Sequence, residues 1–210
     1  MAIAPNRPAN PDARGNAAPC KRRRTCAGCR DRYAFLIVMN QNVKRSVMAF
    51  LERAGSVAQA GSRAAPEEMM ALNQECGGII PGWYIELVTT YPLCGLEFGW
   101  QSSAPDEDDD GVSWMHWSDP AGMRREMLEY YPGVAIHGRG YINVAGCSHG
   151  TGDPYFIRAR DGDDPAVIQV AHDVSDDPEL ILRDGIFVVA GRLSELFTNA
   201  FVGATRKSEA

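Results

Sequence analysis

The fold is decided by the stretch Tyr155-Phe-Ile-Arg-Ala-Arg160-Asp-Gly-Asp-Asp-Pro165-Ala-Val-Ile-Gln-Val-Ala171. It contains two short apolar runs, 155–160 and 167–171, and both are rich in the β-branched and aromatic residues that favour strands. Between them lies a polar turn with Gly and Pro. The pattern predicts two neighbouring strands joined as a hairpin, which makes their pairing antiparallel.

Strand-like segments also occur on either side of this hairpin, and turn residues separate them. They cover residues 96–100, 112–117, 133–137, 141–145 and 186–189. Helical periodicity predicts helices that begin near Val43, Pro66, Pro81 and Asp119, and a last one over 193–201. Because helices come first, consecutive strands follow and one helix closes the chain, we expect an α+β fold with a mainly antiparallel sheet of about six strands flanked by helices.

Charge is unevenly distributed along the 210 residues. Residues 1–45 carry ten Lys or Arg and two acidic residues, whereas the rest carries 11 basic and 25 acidic ones, for a net charge of −6. The basic part opens with a Pro-rich stretch that cannot bury enough apolar surface to offset its ordering entropy. We therefore predict a disordered arm over 1–33, a helix and linker over 34–65, the α+β domain over 66–202 and a flexible tail over 203–210.

The composition, with 45% hydrophobic and 23% charged residues, is typical of a globular protein. The longest apolar run, from Tyr33 to Met39, is far shorter than the roughly 20 residues that span a bilayer. The first residues lack the apolar core of a signal peptide, and six cysteines are too few for a disulfide-stapled miniprotein. We expect a cytoplasmic protein with reduced thiols and no membrane partner.

Cysteine is the residue type that offers the most candidate chemistry. Cys26 and Cys29, with Cys20 upstream, have the spacing of half a zinc site, but no second pair follows, so we predict no metal site. Cys147 and His149 would point to one side of an extended strand, and a Cys nucleophile needs such a His. A cysteine-dependent enzyme is therefore a minor alternative. The main hypothesis is a protein without catalytic residues.

Other ligand motifs are missing from the sequence. The loop that begins at Asp161 resembles a calcium loop only superficially, because its twelfth position is His172 where a Glu is needed. There is no phosphate-binding GxxxxGK[ST] pattern, and we expect no cofactor. The basic run Lys21-Arg-Arg-Arg24 would attract polyanions weakly and without sequence readout, so no specific nucleic-acid partner is predicted.

Two segments are the candidates for binding a partner. One is the acidic run between the first two predicted strands, which comprises Asp106, Glu107, Asp108, Asp109 and Asp110. Five adjacent carboxylates can simply be a solvated loop, but they can also steer and hold a basic protein. The other is the turn at Gly152 and Asp153, which precedes the central hairpin.

Residues 66–202 resemble the SUKH superfamily, which includes bacterial toxin-immunity proteins and fungal Smi/Knr regulators of cell-wall synthesis. The resemblance rests on a helix, a turn into a central strand, and a strand followed by a closing helix. These blocks are Ile79-Ile-Pro-Gly-Trp-Tyr84-Ile-Glu-Leu87-Val-Thr-Thr-Tyr91-Pro-Leu, Gly150-Thr-Gly-Asp153-Pro-Tyr-Phe-Ile157, and Pro165-Ala-Val-Ile-Gln-Val-Ala-His172-Asp173 with Leu193-Ser-Glu-Leu-Phe197. The arm up to about residue 40 and the acidic run have no counterpart in the family pattern.

The resemblance implies a non-enzymatic protein-binding domain. In bacterial members this is typically an immunity protein that neutralises a cognate polymorphic toxin, often a nuclease or deaminase. In fungal members it is a regulatory or scaffold protein, and that is the alternative. An acidic domain suits the first role, because enzymes that bind polyanions tend to be basic at their sites.

Overall fold

A computed structural model describes residues 39–105, 107, 110–149 and 151–202. The described residues all belong to one compact unit that begins at Ile37. Several predictions fall outside the described residues: the disordered arm over 1–33 with Cys20, Cys26 and Cys29, the tail over 203–210, and the binding candidates Asp106, Asp108 and Asp109.

Seven α-helices and six strands form the described part of the chain. The helices are α1 (Gln41–Ala54), α2 (Pro66–Glu75), α3 (Gly82–Thr90), α4 (Pro120–Leu128), α5 (Gly133–Ile136), α6 (Pro178–Asp184) and α7 (Leu193–Asn199). The strands are β1 (Glu97–Gln101), β2 (Val112–Trp117), β3 (Tyr141–Cys147), β4 (Tyr155–Arg158), β5 (Val167–Val170) and β6 (Ile186–Ala190). Short 3-10 helices follow α1 over Gly55–Ala60, within the predicted linker, and α5 over His137–Arg139.

The six strands form one antiparallel sheet in chain order, from β1 at one edge to β6 at the other. The central hairpin pairs Phe156 with Ile168, and the turn between its strands is the predicted one. The predicted fold class, α+β with a mainly antiparallel sheet of about six strands, is confirmed. Every strand therefore pairs with its neighbour along the chain, which is the commonest arrangement of consecutive strands.

Residues 133–137 do not form the predicted strand, because Gly133–Ile136 is helical. Gly133 packs directly on α4, and a Cβ there would lie 1.7 Å from the carbonyl oxygen of Glu126. Apolar alternation over five residues does not separate a strand from one helical turn, so the periodicity was misleading. Sequence reasoning also missed α6, although Asp177 accepts a hydrogen bond from the Glu179 amide as an N-cap does.

Apolar side chains fill both faces of the sheet. Alternate residues of β4 point to opposite sides, so Tyr155 and Ile157 join a large core with α1, α2, α3, α4 and α7, while Phe156 joins a smaller one with α5 and α6. The predicted core residues Trp83, Leu87, Leu196 and Phe197 are buried, and Tyr91 is half-buried. Helix α1 belongs to the same core, since Val43, Val47 and Phe50 are buried in it.

Arg53 at the end of α1 caps the end of α7. Its Nη2 donates to the carbonyl oxygens of Phe197 at 2.8 Å, Thr198 at 3.0 Å and Ala200 at 3.3 Å. A cation on the last carbonyls of a helix satisfies acceptors that have no partner within the helix, and it complements the helix dipole.

We expect Arg53→Met to lower the free energy of unfolding by about 1 kcal/mol, because it removes these charge-assisted bonds and keeps most of the aliphatic stem. The matched control is Arg45→Met, since Arg45 donates a hydrogen bond to Asn42 within α1. Urea unfolding of the two variants measures the difference, and equal losses would show that the α7 cap contributes no stability.

Candidate functional site

Three connections of the chain meet at one end of the sheet. The β1–β2 loop leaves β1 after Gln101 and enters β2 at Val112, and these two residues are paired. Met115 pairs with Cys147, so β3 ends beside the start of β2, and the Ser148 amide donates to the Trp114 carbonyl. Tyr155 pairs with Gln169, so β5 ends where β4 begins. The antiparallel register therefore gathers the described residues of 102–111, 148–154 and 171–177 at this end, which we call the acidic end.

The described residues of the acidic end include six carboxylates and neither Lys nor Arg. They are Glu107, Asp110, Asp153, Asp173, Asp176 and Asp177. Glu179, which follows on α6, is instead ion-paired with Arg139. His149 and His172 are the basic groups in the same three segments. A surface of one sign attracts a partner of the opposite sign over distances comparable with the Debye length. The register brings Glu107 and Asp110, the described residues of the acidic run, to the same end as the Gly152–Asp153 turn.

The base of the β1–β2 loop is closed by hydrogen bonds. The amides of Ser102 and Ser103 donate to the Gly111 carbonyl, and the Gln101 amide group donates to the Asp110 carbonyl at 2.9 Å. Asp110 Oδ1 accepts from the Val112 amide at 3.0 Å, which keeps this carboxylate at the loop base. Glu107 and Asp110 are both exposed, so their charges face solvent.

The second candidate turn positions Asp153 for an ion pair. Gly152 has a φ of +81°, a conformation that residues with a Cβ rarely adopt, and it turns the chain into β4. Asp153 Oδ1 accepts from the His172 backbone amide at 3.0 Å and lies 2.6 Å from Nδ1 of the same residue. The Asp153 side chain is only 13% exposed, whereas that of His172 is half exposed. The pair joins the β3–β4 turn to the end of β5.

The pair changes the pKa of both partners. Burial raises the pKa of Asp153, but hydrogen bonds from Thr151 and His172 outweigh it, so the net pKa is lowered. The hydrogen bond to Asp153 raises the pKa of His172 above its ordinary value of 6.5. The stabilisation from His172 is therefore fully present below pH 6.5 and disappears as the pH rises through its higher folded pKa. The stabilisation from Asp153 is fully present above pH 3.8, its ordinary pKa. It disappears as the pH falls through the lower pKa of the folded state.

We expect Asp153→Asn to lower the pKa of His172 toward its ordinary value, because the carboxylate that favours the imidazolium is gone. The difference in free energy of unfolding between wild type and variant should also shrink as the pH rises through the pKa of His172. NMR titration of the histidine ring protons measures the pKa, with Asp161→Asn as a matched control at an exposed aspartate in the β4–β5 turn. An unchanged His172 titration in Asp153→Asn would contradict the pairing.

Cys147 and His149 do not form a nucleophilic pair in this structure. The Cys147 thiol donates to the backbone carbonyl of His149 at 2.7 Å. The His149 ring instead lies with Nε2 3.5 Å from Glu97 Oε1 and packs edge-on against Trp114. The arrangement that would support the cysteine-dependent alternative, with imidazole on thiol, is not the one observed.

An aromatic cluster lies beside the acidic end, and sequence reasoning missed it. The ring of Trp114 on β2 lies 5.8 Å from that of Phe201 and 6.0 Å from that of His149. Phe201 reaches this face because its backbone pairs with Gly99, whose missing side chain leaves room for the ring. Trp114 is half-buried and Phe201 is 38% exposed, so the cluster presents apolar surface next to the carboxylates.

A cleft of about 430 Å³ lies at the opposite end of the sheet, next to Cys94 and Asp119. Its Arg124 is occupied, because it bonds both Glu75 and Glu129. Burial raises the pKa of the Cys94 thiol to about 11, which makes a thiolate nucleophile unfavourable there. The described residues contain no His, Cys, Asp and Glu grouping suited to a metal ion, and none of their helices is long and apolar enough to cross a bilayer.

The comparisons with known proteins give no relative: no family model, no curated protein and no solved structure matches the chain. The fold and the charge distribution define the class of molecule, an α+β protein whose six-stranded antiparallel sheet carries a concentrated acidic surface at one end.

Proposed function

We propose that this protein is a non-enzymatic protein-binding domain that holds a basic protein partner at the acidic end. One observation carries the proposal: the described residues of 102–111, 148–154 and 171–177 contain six carboxylates and no Lys or Arg, and the strand register places them at one end of the sheet. Such a one-sided surface speeds encounter with a positively charged partner and disfavours partners of like charge.

The neighbouring aromatic cluster indicates that the ligand of the acidic end is a protein and not a small cation. Tryptophan is enriched among residues that dominate protein interfaces, and its ring also binds arginine and lysine side chains face-on. Trp114 and Phe201 lie on the same sheet face as Glu97 and His149, so apolar contact and charge are adjacent. An apolar centre with a charged rim is the usual arrangement of a specific interface.

The partner class we favour is a basic toxin of the nuclease or deaminase type, with this chain as its immunity protein in the cytoplasm. The sequence resemblance to the SUKH superfamily implies that role, and the charge argument supports it. An enzyme that binds a nucleic acid has a basic active-site surface, and an acidic surface that covers it excludes the substrate. The binding needs neither metal nor cofactor.

The experiment is affinity capture with three tagged baits, followed by mass spectrometry of the proteins that co-elute. The baits are the wild type, an end variant (Glu107→Gln, Asp173→Asn and Asp176→Asn) and a control variant (Glu67→Gln, Glu68→Gln and Asp161→Asn). Both variants remove three exposed carboxylates, so they share the same net charge.

We expect the wild type and the control variant to capture the same basic nuclease or deaminase, and the end variant to capture much less of it. A captured regulator of cell-wall synthesis would favour the scaffold alternative. Equal capture by the end variant and the control variant would contradict the proposed site.

A further inference from the structure

The strand β6 forms an open edge of the sheet. It is the last strand in the order β1 to β6, and among the described residues it pairs only with β5. Two consecutive large apolar residues are exposed on it, Phe187 at 58% and Val188 at 68%. Consecutive strand residues point to opposite faces, so both sides of this edge present apolar surface.

The edge also lacks the usual protection against pairing. Natural edge strands carry Lys, Pro or inward-pointing charges that prevent another strand from adding to them. The sequence of β6 is Ile186-Phe-Val-Val-Ala190, with neither a charge nor a proline. A register shift bends its second half, between Val188 and Ala190, and leaves the first three residues regular.

The backbone groups of Ile186 and Val188 point away from β5. The Val170 amide donates to the Pro154 carbonyl next to β4, so it does not bond Ile186, with which Val170 pairs. The adjacent Ala171 amide donates to the Gly185 carbonyl. Bonded and non-bonded pairs alternate in an antiparallel ladder, so Phe187 bonds inward, while Ile186 and Val188 face outward. Outside the β5–β6 ladder, no backbone hydrogen bond in the described part of the chain involves Ile186 or Val188.

We propose that β6 pairs with β6 of a second copy of this chain, antiparallel about a two-fold axis at Phe187. Ile186 of each copy then lies opposite Val188 of the other, and the outward N–H and C=O groups of both residues bond across the axis. Phe187 lies opposite Phe187 of the second copy on one face, and Ile186 and Val188 pack together on the other face. The two sheets become one continuous sheet.

A second copy suits this edge better than an unrelated strand, because the edge is complementary to itself. The five residues of β6 carry no charge, so antiparallel pairing about a two-fold axis places only apolar side chains opposite one another. At the ends of the strand, Asp184 pairs with its neighbour Arg183, so no unpaired charge of Asp184 opposes this pairing. The inference is independent of the proposed partner at the acidic end.

Sedimentation velocity of the full chain, from about 1 μM to about 500 μM, tests the association. We expect a monomer–dimer equilibrium whose dissociation constant is at least about thirtyfold higher in Val188→Lys. Val57→Lys is the matched control, because Val57 is 47% exposed on a 3-10 helix outside the sheet. A monomer at every concentration, or a dimer that Val188→Lys and Val57→Lys weaken equally, would overturn the proposal.

Cysteine cross-linking tests the register without relying on a weakened variant. Facing residues of a non-hydrogen-bonded pair have Cα atoms about 4.5 Å apart, which lies within the range of a disulfide. Under oxidised glutathione we expect Phe187→Cys to form disulfide-linked dimers above the wild-type background. Val188→Cys should not, because Val188 faces Ile186 of the other copy. Equal cross-linking of both variants, or none by Phe187→Cys, would overturn the register and the proposal with it.

Discussion

Replacing Phe197 by Ala is expected to lower the free energy of unfolding by about 3–5 kcal/mol. The ring is completely buried on α7 and contacts three other aromatic rings, with centroid distances of 5.2 Å to Trp117, 5.7 Å to Phe50 and 6.0 Å to Phe98. These rings come from α1, β1 and β2, so the cavity left by Phe197→Ala would remove packing contacts between α7 and all three elements. Such a site cannot collapse easily, and the loss should be near the upper end of the range.

Urea unfolding followed by tryptophan fluorescence measures the loss. The control is Tyr130→Ala, at an aromatic residue that is 53% exposed after α4, where we expect less than about 1 kcal/mol. If Phe197→Ala cost no more than Tyr130→Ala, α7 would not be docked on the sheet as described.

The second large effect concerns the rate at which the captured partner binds. We expect the end variant to associate about tenfold more slowly than wild type at low salt, because exposed charges act mainly on the encounter step. The dissociation rate should change less. At about 500 mM salt the Debye length is shorter than a typical charge separation, so the two association rates should converge.

The control variant carries the same net charge as the end variant, so it separates a local effect from a global one. It should associate within about twofold of wild type at low salt, because Glu67, Glu68 and Asp161 lie on α2 and in the β4–β5 turn, away from the acidic end. Stopped-flow or surface-binding kinetics at two salt concentrations give both rates. Equal slowing of the two variants would mean that net charge alone matters.

Much of the fold was predictable from local patterns. The strands of the central hairpin have β-branched and aromatic residues on both sides of a Gly-containing turn, and they form where expected. Helix α7 is a clear case as well, because Leu193, Leu196 and Phe197 share one buried face. Such elements are determined by residues close in sequence.

The elements that were mispredicted depend on contacts between distant residues. Helix α5 exists because Gly133 can approach the backbone at Glu126, which no five-residue pattern reveals. Helix α6 has only seven residues, with one buried side chain, Ile181, so its periodicity is weak. Its Asp177-Pro178 start was the available signal, and it has the same form as the Asp119-Pro120 start of α4.

The candidate site shows the same limit. The acidic run was visible in the sequence, but the placement of its described residues Glu107 and Asp110 at the same end as Asp153 and the segment after β5 follows from the strand register. The contact of Phe201 with Trp114 needs the chain to return to β1 after α7, which the sequence does not indicate. Sequence reasoning therefore identified parts of the acidic end without showing that they form one surface.

Amide hydrogen exchange of this protein, alone and saturated with its captured partner, tests the central claim most directly. We predict that the partner slows exchange in residues 102–111, 148–154 and 171–177, and in β2 around Trp114, while α2 and α4 exchange as in the free protein. Protection confined to the cleft between α2 and α4, or to β6, with the acidic end unchanged, would contradict the claim that this end is the binding site.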